Sequence, residues 1–91
     1  MKENLNFGQA IEALKQGQTV ARKGWNGKGM FLFFVSGSVV EQSINEAYGD
    51  KGKTPNTPII DAIYMKTADD KAVPWLASQT DMLSEDWEIV E

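Results

Sequence analysis

Thr19-Val20-Ala21-Arg22-Lys23-Gly24-Trp25-Asn26-Gly27-Lys28-Gly29-Met30-Phe31-Leu32-Phe33-Phe34-Val35 is the stretch on which the fold turns. Thr19 to Lys23 reads as a strand, and Met30 to Ser36 as its return. Between them Asn26-Gly27 is a strong hairpin signal, because a type I′ turn needs positive φ at both central residues. The return strand is apolar at successive positions, so each face expects cover, one from a helix and one from a partner surface.

Upstream, Phe7, Ala10, Ile11 and Leu14 recur at the spacing of one helix face. Asn6 is placed to cap that helix with Gln9 three residues on, and Gly17 is a natural stop. Downstream, Ser36-Gly37-Ser38 reads as a second turn leading into Val39-Val40. From Asn45 to Pro58 the pattern gives way to a polar, Gly- and Pro-rich loop. Ile59 to Lys66 reads as a strand, Asp69-Asp70-Lys71 as a turn, and Ala72 to Trp75 as an extended edge segment marked by Pro74. Ser78 to Glu85 is irregular or one short helical turn, and Trp87 to Val90 alternates as a final strand. The expected class is α+β: one long N-terminal helix packed on an antiparallel sheet, as a single domain over residues 1–91.

The 91 residues include no cysteine and no histidine, and the net charge is −4. Disulfides and thiolate metal sites are therefore excluded, together with the usual general base and commonest metal ligand. No cofactor is called for. An acidic chain does not suit duplex nucleic acid, whose phosphates demand a basic face. No apolar run is long enough to cross a bilayer, which makes a cytoplasmic, membrane-free protein the expectation. A domain of this size buries only roughly 60–65% of its unfolded surface, which favours self-association.

Arg22, Lys23 and Lys28 form a local basic cluster suited to one small anion. Trp25 lies among them in a glycine-rich turn; it reads as a stacking platform for a purine, or as a rim aromatic over a small core. Trp75 leads into Ser78, Thr80 and Asp81, whose hydroxyls and carboxylate could bond ribose or base edges, or could simply cap a short helix. Trp87 reads as core. Asp81, Glu85 and Asp86 crowd one segment, as the carboxylates of a glycosidase do, but an ordinary acidic surface has the same composition. Without His or Cys no usual nucleophile–base pair can be drawn, so catalysis is not expected.

Two blocks resemble a known family. Asn6 to Leu14 with Val20-Ala21-Arg22-Lys23-Gly24-Trp25-Asn26-Gly27-Lys28 is similar to the start of a small phage and prophage family, the second family of Thoeris anti-defence proteins. Pro74-Trp75-Leu76-Ala77-Ser78-Gln79-Thr80-Asp81-Met82-Leu83 with Glu85-Asp86-Trp87 is similar to its C-terminal signature; residues 43–58 carry no match. The resemblance implies a homotetramer that binds the signal glycocyclic ADP-ribose between subunits without cleaving it, like a sponge. Some relatives also hold cyclic oligonucleotides. It further implies ligand contacts at Trp25, Asn26, Trp75, Ser78, Thr80 and Asp81, to which the basic cluster adds Arg22 and Lys28 as counterions for phosphate. The competing readings are a protein-interaction module with exposed tryptophans and a hydrolase of ADP-ribose-like compounds.

Overall fold

The computed structural model describes residues 2–48 and 58–90. Helix α1 spans Phe7–Lys15, and strands β1 and β2 span Val20–Arg22 and Phe31–Val35. Helix α2 spans Gly37–Tyr48. Strands β3 (Ala62–Lys66) and β4 (Ala72–Pro74), helix α3 (Gln79–Leu83) and strand β5 (Trp87–Ile89) complete the domain.

Helix α1 begins with a reciprocal capping box. The Gln9 amide donates to Asn6 Oδ1 at 2.8 Å, and the Asn6 amide donates to Gln9 Oε1 at 2.9 Å. It ends at Gly17, whose φ of 87° is the left-handed conformation that a residue with a Cβ resists. Ala10, Ala13 and Leu14 are buried on its inner stripe, with Phe7 and Ile11 packed beside them.

All five strands pair antiparallel in the order β4-β3-β2-β1-β5. The register sets Val20 opposite both Leu32 and Ile89, and Arg22 opposite Trp87. Directly paired residues share a face, so Val20, Leu32, Met65, Trp87 and Ile89 all face α1. Val20, Leu32 and Trp87 are fully buried and form the centre of the core with Leu14. The same alternation puts Ala21, Phe31, Phe33, Tyr64 and Glu88 on the far face. There Phe33 stands 6.2 Å from Phe31 and 6.1 Å from Tyr64, ring centre to ring centre. Pro74 lies on the β4 edge, where its missing N–H costs no ladder bond. The opposite edge is covered by the N-terminal segment: the Leu5 amide donates to the Trp87 carbonyl and the Ile89 amide to that of Lys2.

Four expectations change. The N-terminal helix is not the one long helix of the fold, since α1 has 9 residues and α2 has 12. The second turn and following extended run are replaced by α2. Gly37 fits at its start because a Cβ there would collide with the Ile59 carbonyl, and its amide donates to Asp61 Oδ1 at 2.9 Å. The β1–β2 connection is also not a two-residue turn on Asn26-Gly27. It is a longer loop over residues 23–30 in which Gly29, not Asn26 or Gly27, takes positive φ. Of the polar loop expected from Asn45 to Pro58, residues 45–48 belong to α2, and residues 49–57 lie outside the described part of the chain.

Candidate ligand-binding site

The long β1–β2 loop rises from the sheet and bounds a concavity of about 530 Å³ on the far face. Ala21 and Phe31 lie on its floor, while Trp25, Gly27, Gly29 and Met30 line the loop side. Arg22, Lys23 and Glu88 bring charges of both signs to its border. Mixed apolar lining with a few charged groups is the usual makeup of a small-molecule site.

Trp25 stands where the two faces of the sheet meet. Its ring packs edge-on against Trp87 with centroids 5.4 Å apart, and its Nε1 donates to Asp81 Oδ1 at 3.4 Å. It therefore belongs to the edge of the core and to the concavity at once. Asn26 and Lys28 are exposed on the same loop.

Trp75 occupies the α1 side. Its ring lies 6.0 Å from Trp87 and 6.2 Å from Phe7, and it does not line the concavity. Ser78 caps α3: its hydroxyl accepts from the Asp81 amide at 3.0 Å, and Asp81 Oδ2 accepts from the Ser78 amide at 3.1 Å. Thr80 is exposed, and its carbonyl accepts from the Ser84 hydroxyl. The chain thus brings Trp25 and Asp81 together, and Arg22 and Trp25 line the loop concavity, whereas Asn26, Lys28, Trp75, Ser78, Thr80 and Asp81 do not.

Arg22 is held by two carboxylates. Nη1 donates to Asp81 Oδ1 and Nε to Asp86 Oδ1, each at 2.9 Å. Asp86 also accepts from the Gly24 amide at 2.9 Å. The hydrogen bond that Arg22 donates to Asp86 raises the Arg22 pKa against the opposing effect of burial. The bond from Arg22 in turn lowers that of Asp86. Burial opposes ionisation of Asp81, but hydrogen bonds from Ser78, Arg22 and Trp25 outweigh it and hold its pKa low. A glycosidase's general acid needs the opposite shift. Among the described residues no group of three or more His, Cys, Asp and Glu side chains is placed to hold a metal ion, and no helix is long and apolar enough to cross a membrane.

The Thoeris anti-defense 2-like domain model matches residues 5–90. The chain belongs to the Thoeris anti-defense 2-like family. Its sequence is 46% identical over 91 residues to Thoeris anti-defense 2 of Bacillus phage SP01, covering 99% of each chain. The family match encloses both the Trp25 loop and the Trp75–α3 segment, so the resemblance seen in the two tryptophan blocks is a family relationship. Sequence reasoning missed Phe31, Met30 and Glu88 as site-lining residues, and Asp86 as the anchor of the loop. The alternation of Ala21 and Glu88 on facing strands was the available signal for the far face. Nothing in the spacing of Arg22 and Asp86 announced their pairing.

Proposed function

We propose that this protein captures a cyclic ADP-ribose-type immune signal, glycocyclic ADP-ribose, and holds it uncleaved, so that a Thoeris effector stays inactive. The observation that carries this reading is the Trp25-walled concavity in a member of the Thoeris anti-defense 2-like family. An indole face stacks a base with about 1–3 kcal/mol. Met30 fills the space beside Gly27 and so packs the loop side of the concavity, and Lys23 and Lys28 lie near enough in sequence to offset a pyrophosphate. Nothing in the reading requires a bond to be broken.

The expected contacts Trp75, Ser78 and Thr80 lie away from that concavity in one protomer. We therefore assign the complete pocket to a homotetramer in which a second copy supplies them. Leu76 and Leu83, 90% and 79% exposed beside these residues, support an apolar contact there. A purely protein-binding role would use the same leucines without any nucleotide.

Titration calorimetry with glycocyclic ADP-ribose, followed by denaturation and chromatography of the ligand, tests the proposal. Tight binding with ligand recovered intact is expected, with a stoichiometry that reports sharing between subunits. Absence of binding would refute signal capture, and recovery of cleaved ligand would establish a hydrolase instead.

A further inference from the structure

We infer that Arg22 and Asp86 are positioning residues that clamp Trp25, and that Arg22 is not the counterion for a ligand phosphate. Arg22 and Asp86 hold the Trp25 turn at two points. On the backbone, Asp86 accepts from the Gly24 amide through Oδ2, its own carbonyl accepts from the Lys23 amide, and the Trp25 amide donates back to the Arg22 carbonyl. On the side chain, Arg22 Nη1 and Trp25 Nε1 converge on one oxygen of Asp81. The guanidinium thereby fixes the carboxylate that holds the indole edge. Trp87, packed edge-on, closes a third side and leaves the remaining indole surface to the concavity.

The charge arrangement supports the same assignment. Arg22 is a single cation between two carboxylates, with its side chain only 14% exposed. Arg22 does line the concavity, but a phosphate there would meet a guanidinium already neutralised and would have to face both aspartates. Lys23, which lines the concavity, is the cation left for that task, although it shares its charge with Glu3; Lys28 is exposed on the same loop but does not line the concavity. A planar fork that bonds two carboxylates at set angles suits a clamp better than a flexible ammonium does. Gly24 reveals how closely the clamp is built, since a Cβ there would lie 2.9 Å from Asp86 Oδ2 and 3.3 Å from Arg22 Nη2.

The clamp bears on function only if Trp25 holds the ligand proposed above, so the test has one readout that needs no ligand. In the free protein, the indole N–H resonances of Trp25, Trp75 and Trp87 would be recorded by ¹H–¹⁵N spectroscopy, with Trp25→Phe giving the assignment. Asp86→Asn and Gly24→Ala are compared with the unaltered protein; the second pushes the clamp apart while keeping every charge. Both variants are expected to shift or broaden the Trp25 resonance, leave that of Trp75 in place, and weaken glycocyclic ADP-ribose binding by roughly tenfold, the worth of one charge-assisted bond. A Trp25 signal unmoved in both variants would overturn the clamp, whatever the affinity. Equal movement of all three signals would also overturn it, because the pair would then support the core at large. If the unaltered protein binds no glycocyclic ADP-ribose, the ligand assignment fails while the spectra still decide the clamp.

Discussion

Arg22 Nη1 lies 2.9 Å from Asp81 Oδ1, which joins the first strand to the third helix across 59 positions of sequence. Both side chains are largely withdrawn from water, at 14% and 12% exposure. Removing one partner of such a pair leaves the other charge desolvated. Asp81→Ala would also strip the Ser78 amide of its acceptor and the Trp25 indole of its hydrogen bond. A loss of about 3 kcal/mol is expected in urea unfolding. A change below about 1 kcal/mol would show that Arg22 finds full compensation in Asp86.

The same carboxylates set an acid limit. Asp81 and Asp86 are both held below the ordinary carboxylate range in the folded state. A depressed folded pKa contributes stability above the unfolded value, about 3.9, and that contribution is lost as pH falls through the folded value. Unfolding free energy should therefore be insensitive to these groups near neutrality and decline below about pH 4. Asp86→Asn should flatten part of that decline. An unchanged acid limb would remove Asp86 from the account.

Trp87 is the most demanding core position, fully buried and in ring contact with Phe7, Trp25 and Trp75. Its Nε1 donates to the Asp81 carbonyl at 3.0 Å, so the indole supplies a buried hydrogen bond besides its bulk. Trp87→Ala is expected to cost about 3–5 kcal/mol, against a total of about 5–15 kcal/mol for a domain. Circular dichroism should show loss of a cooperative transition at physiological temperature.

The parts of this fold legible in sequence were those decided locally. Phe7, Ala10, Ile11 and Leu14 share a helical period, and Asn6 with Gln9 announces its start. Trp87 and Ile89 alternate on a strand, and Pro74 marks an edge. Helix α2 was hidden because Gly37 and Ser38 punctuate the chain like a turn and Val39-Val40 prefer strands. Its start depends instead on Asp61, which accepts from the Gly37 amide across 24 positions. The Trp25 loop was legible in composition but not in shape. Asn26-Gly27 suggests a tight turn, yet Asp86 draws the Lys23 and Gly24 amides outward from the other end of the chain. Arg22 looked like a free cation for the same reason: both of its partners lie far away in sequence.

Assembly can be separated from folding at Leu76 and Leu83, which are 90% and 79% exposed. Substituting both with lysine removes little packing within the chain, so thermal unfolding should shift by no more than about 0.5 kcal/mol in free energy per site. If a homotetramer closes over this surface, sedimentation velocity should show the double variant as smaller species, with weaker signal capture. An unchanged sedimentation coefficient would place any subunit contact elsewhere.

Trp25 and Trp75 both contact Trp87, yet their substitutions should be distinguishable. Trp25 lines the concavity and carries one hydrogen bond to Asp81, whereas Trp75 packs against Phe7 and Trp87 on the helix side. Trp25→Ala is expected to weaken glycocyclic ADP-ribose binding by about 1–3 kcal/mol, the value of one stacked base, with a smaller loss in stability. Trp25→Phe should restore part of the affinity, because an aromatic face remains. Trp75→Ala should lower the melting temperature more than Trp25→Ala does, since it opens a gap beside the core. Its effect on binding then separates two arrangements. If a second subunit brings Trp75 to the ligand, capture is lost even at temperatures where the variant is fully folded. If Trp75 serves the core alone, affinity measured on the folded fraction stays within about twofold of the unaltered protein, a difference of only about 0.4 kcal/mol.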